Sequence, residues 1–396
     1  MPATPVCPTT ASIVDTDDPV LGGLADIPSA PRELREVIAQ IPDPRKARGI
    51  RHRIPAVVLL AATAVVAGAC SFAAIAQWAH DCGRELLDTA GMADAQIPSK
   101  PTIRRILEQI DAHTFDLLVY EWMRLSFTTI DGRRIIACDG KTVRGAKDSD
   151  GNQPHLLAAM DHRTGAVIGQ ADVAAKTNEI PMLRELLGQF DLTDRVVTVD
   201  ALHTQRGTIE HIVSRGGHVV MTVKKNQPAL HKELAALPWS RIDGESAVDR
   251  SHGRRVRRTI KAAQVPAGVA GFPLIGQVVQ IRRTRTVHGR KHVELVYLIS
   301  DLDMAHAQPA EIAAWVRGHW GIENRVHYVR DVTYREDASR IRTGSGPRVM
   351  ATLRNLALGM HRAAGHRNIA AACRHYQHCL QDAIKLVLTS GTPTLT

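Results

Sequence analysis

Three carboxylates stand at positions from which a folded chain could do chemistry. Asp139 closes the run RRIIACD and is followed by Gly140-Lys141-Thr142, Asp200 closes RVVTVD and is followed by Ala201, and Glu323 lies inside HWGIENRVHYVRD. A carboxylate at the end of a β run, entering a loop, sits where α/β proteins place their ligands. Neither run needs an acid in order to fold, and a carboxylate beside apolar strand residues is costly unless it is solvated, paired or bound to a metal. Cation or anionic-ligand chemistry at strand ends is therefore open to this set. Taken one at a time, each acid reads equally well as a solvated surface group.

Periodicity gives the elements that would have to position them. RRIIACDGKTV, HLLAAMDH and AVIGQADVA are short β-type runs separated by turn residues at 148–152 and 163–165. EIPMLRELLGQF (179–190) carries Ile180, Leu183, Leu186 and Leu187 at helical spacing. RVVTVDAL (195–202) is the next strand, TQRGTIEHIVSRG (204–216) a helix closed by Gly216-Gly217, and HVVMTVK (218–224) a fifth strand. The order β-β-β-α-β-α-β predicts a mixed α/β core. Residues 225–300 break the alternation with β-type stretches and a hairpin turn at His288-Gly289, and read as an insertion; helical periodicity returns at 309–330 and again from Arg348 to Leu388. Ahead of the core, residues 31–41, 54–80, 83–91 and 102–110 read as helices. A turn at 97–99 followed by a helix bearing Arg104 and Arg105 suits a DNA-binding helix-turn-helix and an ordinary helix pair alike. The expected organisation is a flexible leader (1–30), a helical domain (31–128), the first part of the core (129–224), a basic β-rich insertion (225–300), a helical remainder of the core (301–388) and a tail (389–396).

Charge is concentrated in the insertion. The 396 residues carry a net +10, and two acid-free segments, RSHGRRVRRTIK (250–261) and RRTRTVHGRK (282–291), hold eleven positive side chains between them. Arg254, Arg255, Arg257, Arg258, Arg282, Arg283 and Arg285 are the expected phosphate contacts, because an excess placed this way suits a polyanion such as nucleic acid. The six cysteines show no CxxC and no Cys/His zinc spacing, so a zinc ribbon or a secreted disulfide scaffold is excluded and a reducing, cytoplasmic setting fits. Residues 54–76 are uncharged and long enough to span a bilayer. Nine alanines, Gly68 and Ser71 favour a buried helix that breaks near Gly68 and restarts at Ser71, so no membrane association is expected.

In combination these segments resemble a known family. IACDGKTVRGA (136–146), HLLAAMDHRTGAVIGQ (155–170), KTNEIPMLRELL (176–187), VVTVDALHTQ (196–205), VKKNQPAL (223–230) and RGHWGIENRVHYVRDVTYREDASRIRTG (317–344) are similar to the bacterial insertion-sequence DDE transposases of the H-repeat-associated type. The helical segment from residue 41 to 79 resembles the domain that accompanies that family, and the likeness runs from about residue 31 to 385. Lys225 is a departure, standing where the family usually has Gly before Asn-Gln.

The resemblance implies a ribonuclease H-like catalytic core in which Asp139, Asp200 and Glu323 are catalytic and bind two Mg²⁺ ions, with Mn²⁺ as a substitute. Such a pair, about 3.5–4 Å apart, stabilises the attacking and leaving oxygens of phosphodiester cleavage, and hard oxygen donors suit it. Glu336 and Asp337 are rivals to Glu323 as third acid. His319-Trp320, Ile322-Glu323 and Arg330 fall near the Tyr/Arg/Glu/Lys signature of related transposases, with His319 standing in place of Arg. Lys141, Arg144 and Arg330 are further expected DNA contacts. Trp320 would stack on a displaced base or pack on the sheet. His203 and Gln205 would orient DNA or water, and Asn226 and Gln227 would touch bases or form a turn. The implied activity is cleavage at transposon ends followed by strand transfer to target DNA, by a homodimer assembled on double-stranded DNA, without a small-molecule cofactor. Two rivals share these residues: a ribonuclease H-like nuclease that only hydrolyses, and a catalytically decayed DNA-binding protein.

Overall fold

In the N-terminal part the sequence sets its own helix boundaries. The computed structural model describes residues 33–46, 48, 50–92, 96–127, 133–173, 178–251, 254–265, 269–287 and 290–389. The leader, most of the tail and the His288-Gly289 turn expected above lie outside them. Helices α1 (Leu34–Ile38), α2 (Ile54–Val66), α3 (Phe72–Thr89), α4 (Lys100–Gln109) and α5 (Ala112–Phe127) come first. The Ala-rich stretch breaks where its residues demand: Gly68 takes φ +88°, a left-handed conformation that Gly adopts without a Cβ penalty, and Ser71 caps α3 by accepting the Ala74 N–H at 3.2 Å. Gly83 interrupts α3 with a non-helical backbone (φ +72°, ψ 163°), so the helix expected over 83–91 is a distinct helical stretch after that break, ending at Thr89. Nearly every residue of α2 is buried, and among the described residues no helix is long and apolar enough to cross a membrane.

The core is one mixed sheet. Its strands are β1 (Ile135–Thr142), β2 (His155–Asp161), β3 (Val167–Val173), β4 (Val196–Val199), β5 (His218–Val223), β6 (Gly244–Ser251), β7 (Arg254–Gln264), β8 (Gln277–Val287) and β9 (Arg290–Ser300), in the order β3-β2-β1-β4-β5-β9-β8-β7-β6. Strands β1, β4 and β5 are parallel, and β2 runs antiparallel to β1 and to β3. Helices α6 (Glu179–Gly188), α7 (Arg206–Ser214) and α8 (Pro228–Ala236) complete this half. This is the ribonuclease H-like α/β arrangement that the resemblance implied. One face buries Ile136, Cys138, Val197, Val199 and Met221 against Leu183, Leu187 and Ile212; the other buries Ile135, Val196, Val220 and Leu298 against Ile312 and Trp315. The second face is covered by α9 (Pro309–Ile322), which continues through a π-helical turn (Glu323–His327) into α10 (Tyr328–Val332). After it come α11 (Gly346–Ala363), α12 (Ile369–His378) and α13 (Leu380–Leu388), with α11 and α13 packed on α2.

The insertion extends the core sheet. Strand β9 pairs antiparallel with β5, Val223 opposite Tyr297, so β6–β9 continue the sheet as a long antiparallel arm. The arm does not gather its arginines into a single stripe. Registers Val256↔Arg285, Arg258↔Arg283 and Ile260↔Ile281 place Arg258, Arg283 and Arg285 on the face that carries α9. Strand alternation turns Arg255, Arg257 and Arg282 to the opposite face. Arg283 lies 3.6 Å from Glu294, and Arg257 donates to the Ser246 hydroxyl at 3.2 Å. Arg254 opens β7.

Candidate active site

Register alone places the two aspartates side by side. Strands β1 and β4 pair with Ala137 beside Thr198 and Cys138 beside Val199; one further step sets Asp139 next to Asp200 on the α9 face. Asp200 begins the loop and accepts the Leu202 N–H at 2.9 Å, which fixes the turn that follows it. Glu323 comes in from above, as the first residue of the π-helical turn that ends α9. Single π turns inside α-helices occur frequently at functional sites.

His327, which periodicity did not single out, completes the group. Its Nδ1 lies 3.1 Å from Glu323 Oε2 and 3.6 Å from Asp139 Oδ2, and ligand atoms of Asp139, Glu323 and His327 all fall within 4.8 Å of one another. Burial raises the Asp139 carboxyl above its usual range; the nearby His327 opposes that rise, while the charges of Asp200 and Glu323 add to it. The hydrogen bond from His327 holds Glu323 below its ordinary value. Asp139 at its strand end, with Glu323 and His327 of the π turn and Asp200 beside it in register, forms a donor set that fits a divalent cation, because a cation removes the repulsion that the carboxylates otherwise carry.

Around the acids, buried polar groups hold the floor and its loops. Thr198, two residues before Asp200 on the same face, donates to the Ile136 carbonyl (3.2 Å) and meets His319 Nδ1 (3.0 Å) and His162 Nε2 (3.2 Å). Burial lowers both histidines, His162 to about 3, so at neutral pH neither carries charge. His319 therefore brings no positive charge to the place where the family signature has Arg. Gly318 lets α9 approach: a Cβ there would lie 2.4 Å from His162 Nδ1. On the other face, Thr142 Oγ1 meets His155 Nδ1 (2.8 Å), His155 Nε2 meets Glu179 Oε1 (2.7 Å), and Glu179 Oε2 meets His203 Nε2 (3.2 Å). Hydrogen bonds from His155 and His203 pull Glu179 down to about 2. This chain ties β1 and β2 to the loop after Asp200. A Cβ on Gly140 would lie 2.6 Å from His155 Nε2, so the residue following Asp139 must be Gly for the ring to fit.

Several expected DNA contacts are instead internal. Arg330 is fully buried, its Nε donating to Glu336 Oε2 at 2.8 Å, and Arg354 donates to Glu336 Oε1 at 2.8 Å. Arg330 is thus removed from any phosphate, and Glu336 is removed as a third acid. Burial pushes the Glu336 carboxyl up, but the two guanidiniums outweigh it and carry it down to about 2. Lys141 is buried and bonded to Asp331 (2.8 Å) and Asp337 (3.4 Å), so its charge is neutralised within the fold and Asp337 is occupied as well. Arg144, just beyond, stays exposed. Gln227 donates to the Thr204 carbonyl at 2.8 Å, Asn226 to that of Ala201, and Gln205 to that of Leu202 at 3.2 Å. With buried His203 these residues brace the Asp200 loop. Trp320 does not pack on the sheet: it is 64% exposed, on the last turn of α9.

Comparison with known proteins places this arrangement in a family. Two family models match, "DDE_Tnp_1-associated" over residues 35–123 and "Transposase DDE domain" over residues 130–360. The chain is 31% identical over 346 residues to "Putative transposase YncI" of Escherichia coli O157:H7, covering 84% of this chain and 87% of that one. It is 29% identical over 348 residues to "H repeat-associated putative transposase YhhI" of Escherichia coli K12, covering 83% and 90%. Among solved structures, a piggyBac transposase synaptic complex with hairpin DNA aligns over 93% of this chain and 80% of its own, with a TM-score of 0.41 and 12% identity. The family-model match spans more than half of the chain and falls on the sheet and helix that bring Asp139, Asp200 and Glu323 together: the chain belongs to the DDE transposases.

Proposed function

We propose that this DDE transposase cleaves phosphodiesters at the ends of a mobile element and joins the freed 3′-OH to target DNA at a single acidic site formed by Asp139, Asp200 and Glu323. The observation that carries this reading is the meeting of Asp139, beside Asp200 in register, with the helix-borne Glu323 and the adjacent His327 Nδ1. The carboxylates would hold two Mg²⁺ or Mn²⁺ ions, which when bound supply charge stabilisation to the entering and departing oxygens. The chain's own part is positional. Strands β1 and β4 fix two acids on a rigid floor, and α9 brings the third across it. Trp320, exposed at the rim, offers a ring on which an unpaired base stacks. Two ends have to be processed together, so a homodimer on DNA follows from the reaction.

Water and a 3′-OH are equivalent nucleophiles at such a site, so the decisive experiment supplies pre-cut element ends and a supercoiled target. Covalent joining of the ends, dependent on Mg²⁺ or Mn²⁺, is the expected result. Hydrolysis of both DNAs without joining would make the protein a nuclease only, and binding without either reaction would make it a decayed copy.

The split of the arm's arginines makes a second prediction. A duplex lying over the acids meets Arg258, Arg283 and Arg285, while Arg255, Arg257 and Arg282 point away. Replacing the first three by Gln should flatten the log–log salt dependence of binding by about 2.7 units, at about 0.9 per phosphate contact, and replacing the second three should leave it nearly unchanged. Equal slopes for both triple variants would mean that DNA does not lie on the acid face.

A further inference from the structure

We infer that His327 is itself a metal ligand, so that the two cation positions differ: one held by oxygen alone, between Asp139 and Asp200, and one of mixed nitrogen and oxygen, among Asp139, Glu323 and His327. This rests on the metal-dependent reading of the site above and goes beyond its three acids. Two donors placed at right angles about 2.1 Å from one ion lie about 3 Å apart. His327 Nδ1 stands 3.1 Å from Glu323 Oε2 and 3.6 Å from Asp139 Oδ2, so a single ion fits between the ring and both carboxylates with small side-chain adjustments. The ring has no other engagement among the described residues: its side chain is 4% exposed, and Nε2 is buried with no hydrogen-bond partner. The one ring nitrogen in use, Nδ1, points at the acids. The backbone explains the placement. Within the π turn, the Tyr328 N–H bonds back to the Glu323 carbonyl, and Glu323 and His327 project together toward Asp139.

A mixed site has a chemical consequence. Imidazole is a poor partner for Mg²⁺ and a better one for Mn²⁺, so this position should prefer Mn²⁺ while the Asp139/Asp200 position accepts either ion. The preference is a property of binding and can be read without any turnover.

The test is pulsed electron paramagnetic resonance of Mn²⁺ bound to the full-length protein without DNA. Wild-type protein should show nitrogen coupling to Mn²⁺, changing from the ¹⁴N to the ¹⁵N pattern when the protein is made with ¹⁵N-histidine. His327→Gln should abolish that coupling and weaken the tighter Mn²⁺ site by about tenfold or more, with a smaller change for Mg²⁺. His327→Asp, which replaces nitrogen by oxygen, should retain two ions and move the preference toward Mg²⁺. Mn²⁺ that binds wild-type protein in an Asp139-dependent way but shows no histidine coupling would overturn the inference and leave the three-acid reading standing. So would coupling that survives in His327→Gln. Absence of any Asp139-dependent Mn²⁺ binding would overturn both. Because the first measurement uses only wild-type protein, an absence of histidine coupling to bound Mn²⁺ counts against the inference even if a variant folds poorly.

Discussion

Asp139→Asn or Asp200→Asn is expected to lower strand cleavage by about three orders of magnitude or more while leaving DNA affinity within a few-fold of wild type. Both substitutions are nearly isosteric. In Asp200→Asn the amide oxygen can still accept the Leu202 N–H that the Asp200 carboxylate accepts now, so the loop keeps its turn. On the proposed reading, what is lost is a negative charge that would hold a cation, and with it several kcal/mol of stabilisation of the charged oxygens in the transition state. Affinity should hold because the arm's arginines lie on other strands. For Asp139 there is a stabilising side effect: burial and the charges of Asp200 and Glu323 already push its carboxyl up, so without metal the Asp139→Asn variant should resist denaturant at least as well as wild type at neutral pH. Nicking of a labelled element end in Mg²⁺, together with binding measured in Ca²⁺, checks both statements. Cleavage within tenfold of wild type in either variant would remove that aspartate from the site.

Glu336→Gln is expected to be the most damaging single change to the fold outside the apolar core, costing about 3–5 kcal/mol. Its carboxylate lies with no exposure between Arg330 and Arg354, and Arg354 also reaches the Cys70 carbonyl at 3.4 Å. Removing the charge strands two buried guanidiniums, which costs far more than the intact cluster contributes. A triple replacement of Arg330, Glu336 and Arg354 by apolar residues of similar volume should therefore recover much of the loss. A urea titration of the three proteins checks this, and a Glu336→Gln midpoint equal to wild type would refute it. The same cluster predicts acid sensitivity. With Glu336 near 2 in the fold against 4.5 when unfolded, its contribution is full above 4.5 and is lost as the pH falls through about 2.

How far the sequence could be read depended on whether the deciding partner was nearby in the chain. Gly68 and Ser71 marked the helix break because a left-handed residue and an N-cap act locally. Strand ends drew attention to Asp139 and Asp200 for the same reason, and the segments around them and Glu323 pointed to the family. Lys141 and Arg330 were misjudged as DNA contacts because a cation in a string of letters looks free; Asp331 and Glu336 become their partners only when α10 folds against the sheet. His327 was missed because helical spacing says which residues share a face, not that the helix widens into a π turn directly above an aspartate. The sequence suggested an insertion over 225–300, but the continuity of its strands with the core rests on the pairing of β5 with β9, across more than seventy residues that carry no sign of it. The two-faced placement of the arginines follows from that register and could not have been read without it.

The burial of α2 has a consequence for how the chain is made. It packs early on α1, α3 and α4, but its other partners α11 and α13 begin only at Gly346 and Leu380, so part of this apolar helix stays uncovered until synthesis is almost finished. Throughout that interval the apolar surface that α11 and α13 cover remains available to the wrong partners, and a slow or chaperone-poor translation should show it as aggregation of the nascent protein before any DNA is touched.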